Sequence, residues 1–129
     1  MKLSSLQKGL VAHWTMSQDS LKGSLLADKT PYENDGTIYG ATFTTDRKGK
    51  ANSAMSFDGV DDYIKKSELN TTALKNGSVS IWINPDISIS TEKHPICLGG
   101  IQCFYTGSTL YVGFSGSYIT YNINLKGSW

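Results

Sequence analysis

The chain has 129 residues, 39% of them apolar and 18% charged, with a formal net charge of +1. Such a length suits one domain with enough chain to bury a core, and the composition is that of a folded polypeptide. A near-neutral balance offers no field for nucleic acid or anionic lipid, and no apolar run approaches the roughly 20 residues of a membrane helix. Thirteen glycines, seven tyrosines and three prolines predict short strands joined by tight turns.

Residues 1–8 lack the apolar stretch of a secretory signal and read as a leader to a domain over residues 9–129. Period-2 alternation then predicts a strand from Leu10 to Met16, with Leu10, Ala12, Trp14 and Met16 on one face. Ser17 to Asn34 is polar and irregular and reads as a long loop. Shorter strands are expected at Thr37–Tyr39, Ala41–Thr44, Ala54–Phe57 and Tyr63–Lys65. Thr71–Lys75 is long enough for one helical turn only. Ser78 to Ile83 alternates again, with Val79, Ile81 and Ile83 on one face, and Asn84-Pro85-Asp86 ends it. No internal repeat or low-complexity linker interrupts the chain.

The last third permits a register. Gly99-Gly100, Gly107-Ser108 and Gly116-Ser117 are glycine-first pairs of the kind that close two-residue hairpins, because glycine reaches positive φ cheaply. With those turns Ile96 faces Cys103, Leu98 faces Ile101, Ile101 faces Phe114, Cys103 faces Val112 and Tyr105 faces Leu110. Phe114 then faces Ile119, Val112 faces Tyr121 and Leu110 faces Ile123. The product is a four-stranded antiparallel meander with one apolar face. The other face collects Cys97, Gln102, Phe104, Tyr111, Ser115, Tyr118, Thr120, Asn122 and Asn124. A one-residue slip would scramble this segregation. Cys97 and Cys103 fall on opposite faces and so are expected as free thiols.

On the polar face, Gln102, Tyr111, Tyr118, Asn122 and Asn124 form the candidate ligand surface. Sugars are bound by aromatic rings for stacking and by amides or hydroxyls for hydrogen bonds, and these residues supply both. A solvent-facing sheet, or a face packed on another subunit, would carry the same residues.

Elsewhere the clusters have plainer explanations. Asp58, Asp61 and Asp62 form the densest acidic group, and Asp and Gly at such spacing make a turn with capped N–H groups. His13 and His94 have no metal-ligand spacing and read as structural or solvated. Arg47, Lys48, Lys50, Lys65 and Lys66 read as solvated turns rather than a nucleic-acid surface. No nucleophile elbow or phosphate-cradling loop is present.

Four segments in order, GLVAHW (9–14), NDGTIYGATFTTD (34–46), AMSFDGVDDYI (54–64) and SVSIWINPD (78–86), carry a family resemblance. The most specific elements are FDGVDDY, Phe57 to Tyr63, and Ser80, Trp82 and Pro85 in S-x-W-x-x-P spacing. This closely resembles laminin-G-like domains of the concanavalin A-like lectin/glucanase superfamily, over about the first two-thirds of the chain. The resemblance implies an all-β jelly-roll sandwich of two antiparallel sheets that binds glycans or protein surfaces. It also implies a structural calcium ion beside the loop that holds Asp28, Asn34 and Asp35. Members run past this length, with further core strands opened by a tryptophan like Trp129. The sandwich is therefore expected to be incomplete at its C-terminal side and finished by further chain or a neighbouring subunit.

Catalytic members carry Glu-x-Asp-x-x-Glu. Here Glu33-Asn34-Asp35 supplies the first half, and Ile38 occupies the place of the second glutamate. Glycoside hydrolysis needs the pair, so no enzyme activity is expected. Two functions remain. One is a non-catalytic, lectin-like glycan-binding module. The other is a structural or interaction subunit of a phage or other virus particle, in its tail, fibre or capsid. Both act extracellularly or on a virion, without nucleic acid or membrane insertion; the lack of a signal peptide in this chain favours the second, and the habits of the resembling family favour the first.

Overall fold

The computed structural model describes residues 9–66, 78–85, 91–98, 101–106, 109–114 and 117–122. The leader, the Thr71–Lys75 turn, Asn124 and the residues of the three glycine turns other than Ser117 lie outside that set. The chain divides into two compact units, Met1–Leu69 and Asn70–Trp129. Both are built from antiparallel strands, and the described residues contain one turn of 3₁₀ helix, Gln18–Ser20. The all-β class expected from the sequence is the class observed.

In the first unit, β1 (Leu21–Lys22), β2 (Leu25–Leu26), β3 (Gly36–Tyr39) and β6 (Tyr63–Lys65) form one sheet in the order β1-β2-β3-β6. A two-stranded sheet pairs β4 (Thr42–Thr44) with β5 (Ala54–Ser56). Leu26 sits opposite Gly36, and Ile38 opposite Ile64. These four share the inner face, where Leu26 is 0% exposed. Gly36 has to be glycine there. A Cβ would come within 2.7 Å of Ile64 Cγ2, with the Trp14 indole nitrogen 3.9 Å away. Leu25, Thr37, Tyr39, Tyr63 and Lys65 alternate onto the outer face.

Two sequence expectations change in this unit. The long loop from Ser17 to Asn34 contains the β1–β2 hairpin, whose turn holds Gly23 at φ +62°. It is again a glycine-first pair, Gly23-Ser24, between short apolar ends. Leu10–Met16 shows the expected alternation in burial, with Ala12, Trp14 and Met16 the more covered, but it joins no ladder among the described residues. Its backbone groups are served by residues 28–34 instead. His13 N–H donates to the Asp28 carboxylate (2.8 Å), Lys29 N–H donates to His13 O (2.9 Å), and Asn34 Nδ2 donates to Val11 O (2.9 Å).

In the second unit, β7 (Lys93–Leu98), β8 (Ile101–Thr106), β9 (Thr109–Phe114) and β10 (Ser117–Asn122) form the expected meander in the order β10-β9-β8-β7. The β7–β8 and β8–β9 registers match the sequence expectation from Ile96–Cys103 to Tyr105–Leu110. The last hairpin differs. Phe114 pairs with Ser117, Val112 with Ile119 and Leu110 with Tyr121, so the turn lies one residue earlier than Gly116-Ser117. Pairing partners move by two, which preserves parity, and every described residue of these two strands keeps its expected face. Ser78–Ile83 also departs from expectation. It joins no ladder among the described residues, and Val79 and Ile81 are exposed. Alternation makes a strand only where an edge is present to pair with.

Candidate functional site

The polar face of the meander is ordered by its registers into rows. Cys97, Gln102, Gly113 and Tyr118 form one; Phe104, Tyr111 and Thr120 form the next; Thr106, Thr109 and Asn122 form the third. Four of the five candidate residues, Gln102, Tyr111, Tyr118 and Asn122, thus belong to one face of adjacent strands, and Asn124 lies outside the described residues. Gln102 and Tyr111 are half-buried. Gly113, between Gln102 and Tyr118, carries no side chain and leaves that row low.

The centre of the face is a column of rings. Phe104 and Tyr111 are stacked with centroids 4.5 Å apart and 6° between planes. The His94 imidazole adds to the other side of Phe104 at 5.3 Å and 37°. Plain alternation from Cys97 would put His94 on the opposite face. The register shift between Lys93 and Ile96, where Pro95 has no N–H to pair, turns it onto this one. Glu92 Oε1 lies 2.8 Å from His94 Nε2 and holds the ring from outside.

Stacked rings shield each other, so the geometry decides where a ligand can lie. The stacking axis runs across the strands, from β8 to β9. One face of Tyr111 is covered by Phe104, and the other looks toward β10, where its register partner is the small, exposed Thr120. Phe104 and His94 were missed as site residues. Phe104 was legible, because the Gly107-Ser108 turn already pairs it with Tyr111. His94 was not, because its placement depends on the bulge.

The loop candidates for calcium are brought together in the first unit. Asp28 is 7% exposed. Its Oδ1 accepts N–H bonds from His13 (2.8 Å) and Thr30 (2.9 Å), and its Oδ2 accepts from Thr30 Oγ1 (2.6 Å) and Asn34 N–H (3.0 Å). Burial opposes its charge, but those hydrogen bonds outweigh it and hold the carboxyl below the usual carboxylate range. Asp35 accepts from Asp28 N–H (2.8 Å) and lies 3.6 Å from Lys22 Nζ, while Asn34 donates to Val11 O and accepts from the Trp14 indole N–H (2.8 Å). A carboxylate has about four lone-pair sites, and the four bonds to Asp28 use them. The donor set therefore does not fit a calcium ion at Asp28, since oxygens aimed at N–H and O–H donors offer a cation nothing. The cluster works as a hub that ties residues 11–14 to residues 28–35.

Asp58, Asp61 and Asp62 have carboxylate oxygens within 4.8 Å of one another. Asp62 accepts from Asp58 N–H (2.8 Å), and Asp58 accepts from Val60 N–H (2.8 Å), which is the capped turn expected from the sequence. Cys97 and Cys103 are free, Cys97 exposed, and burial pushes the Cys103 thiol up.

Compared with known proteins, the chain matches no family model, no curated protein and no solved structure.

Proposed function

We propose that the chain is a non-catalytic glycan-binding module of laminin-G-like, concanavalin A-like jelly-roll architecture, acting outside the cell or on a virion surface. The observation that carries this reading is the Tyr111 ring, stacked on Phe104 and paired in register with the small Thr120, on a face to which the registers also assign Gln102, Tyr118 and Asn122. The apolar C–H face of a sugar stacks on such a ring, and its hydroxyls reach the neighbouring amides. One sugar on one ring supports about millimolar binding at best. Useful affinity then comes from several copies acting together. The missing second carboxylate at Ile38 is why the module binds without cleaving.

A glycan array probed with the whole chain tests this. Tyr111→Ala should abolish the signal, and Thr120→Trp should block it by covering the ring. Binding that survives both changes would remove the meander from consideration. A second reading, a structural or interaction subunit of a phage or other virus particle, is favoured by Val112. It lies on the apolar face of the meander yet is 37% exposed, as expected of a surface that a neighbouring subunit covers. A wild-type chain that binds no glycan but assembles into a defined oligomer would favour that role.

A further inference from the structure

Among the described residues the meander ends in two terminal strands, β7 and β10, and they are built differently. A terminal strand offers a row of backbone N–H and C=O groups that another strand can take. On β7 that row is interrupted. Pro95 has no N–H, the register shifts between Lys93 and Ile96, and Glu92 and Lys93 bring charge to the same end. β10 has none of these devices. Ser117–Asn122 pairs with β9 at every position without a shift, and it holds no proline, glycine or charged residue.

The ladder fixes which groups of β10 point outward. A two-residue connection makes its closing pair, Phe114 and Ser117, one that exchanges both hydrogen bonds. Bonded pairs then alternate, so Ile119 and Tyr121 direct their N–H and C=O to β9, and Tyr118, Thr120 and Asn122 direct theirs away from it. An added strand must bond through those three residues. β10 suits its own copy. An antiparallel second β10 centred on Thr120 sets Thr120 against Thr120, Tyr118 against Asn122 and Ile119 against Tyr121. Every residue then meets one of its own face, each outward pair exchanges two hydrogen bonds, and no like charges oppose each other. Moving the centre to Ile119 or Tyr121 would need groups already bonded to β9. A half-step offset would set apolar positions against polar ones.

We propose that β10 pairs with β10 of a second copy of this chain about a two-fold axis at Thr120, joining the two meanders into one continuous antiparallel sheet. The same pairing puts both Tyr111 residues in one row, three strand spacings or about 14 Å apart. A dimer would thus present two copies of the glycan site side by side, and that consequence alone rests on the proposed function. Sedimentation equilibrium and amide hydrogen exchange on the full chain test the pairing without any glycan. A monomer–dimer equilibrium should be seen below about 1 mM. Exchange at Tyr118, Thr120 and Asn122 should slow as protein concentration rises, while Ile119 and Tyr121 stay protected throughout. Thr120→Pro removes an N–H that β9 does not use, and with it two bonds of the dimer, and should weaken association about thirtyfold. Thr120→Lys keeps the backbone intact and opposes two ammoniums at the axis, for a loss of about fivefold. An equimolar mixture of Thr120→Lys with Thr120→Glu should recover it. The proposal is overturned by a chain still monomeric at about 1 mM, whose Thr120 amide would then show whether its own residues cover the edge. It is equally overturned by a dimer that tolerates both variants, or by a mixture that associates no more tightly than Thr120→Lys alone.

Discussion

Replacing Asp28 by asparagine should destabilise the first unit by about 2 kcal/mol at neutral pH, without touching the aromatic face of the meander. The carboxylate accepts four hydrogen bonds, two on each oxygen. An asparagine can keep its carbonyl toward His13 N–H and Thr30 N–H. Its amide then points donors at Thr30 Oγ1, which can rotate to accept, and at Asn34 N–H, which cannot. One donor is left facing a donor, and the two retained bonds lose their charge assistance. A buried unsatisfied group costs about 1–3 kcal/mol, and charged hydrogen bonds exceed neutral ones by roughly a further one. The loop edge admits water, so the lower part of that range applies. Urea unfolding followed at Trp14 fluorescence should show a midpoint about 1 M lower, taking a typical slope of about 2 kcal/mol/M.

The effect has a pH signature. Asp28 has a folded pKa below its ordinary value, so the folded state binds its proton less readily than the unfolded state. Its stabilisation is complete above the unfolded carboxylate value of about 3.9 and is lost as pH falls through the lowered folded value. The gap between wild type and Asp28→Asn should therefore be constant from neutral pH down to about 4 and close below it. A gap under about 0.5 kcal/mol at neutral pH, the scatter of ordinary surface substitutions, would refute the hub. So would a gap that stays open in acid.

Three further outcomes follow from the same structure. Gly36→Ala should cost about 1–3 kcal/mol, because the new methyl would lie 2.7 Å from Ile64 Cγ2 in a packed sheet face; thermal melts of the two chains measure it. Cys97 should be alkylated quickly and Cys103 slowly under native conditions, since Cys97 is exposed and burial raises the Cys103 thiol; equal rates by mass spectrometry would contradict the assigned faces. A double-mutant cycle between Phe104→Leu and Tyr111→Leu should return a coupling of about 0.5–1.5 kcal/mol for the stacked pair; a zero coupling would mean the rings do not stack in solution.

What the sequence made legible was decided by how local the signal is. The β8–β9 register needed only Gly107-Ser108 and the parity of the flanking residues, and it correctly paired Phe104 with Tyr111. The same glycine-first signal at Gly23-Ser24 marks the β1–β2 hairpin, yet strands of two residues have no alternation to confirm it. The last hairpin shows the limit of parity. Ser115-Gly116 and Gly116-Ser117 place the same residues on the same faces, and apolar segregation cannot separate them. The β7 bulge lies beyond alternation altogether, since an inserted residue reverses it, and with it the side on which His94 falls.

The Asp28 cluster shows the other limit. Its residue types, Asp, Asn and Asp, are those of a calcium loop and equally those of a loop that caps its own backbone. Composition is identical in the two cases. They differ in what the oxygens face, and that depends on residues 15 to 23 positions away in sequence. His13 N–H meets Asp28, and Val11 O meets Asn34. Leu10–Met16 alternates like a strand, and a strand needs partners for its N–H and C=O groups. Here the loop side chains are partners for several of them. The missing ladder and the filled carboxylate are thus one fact: donors and acceptors that an edge strand would have satisfied are satisfied by Asp28, the Lys29 N–H and Asn34. Any cation drawn to Asp28 would have to release that segment first.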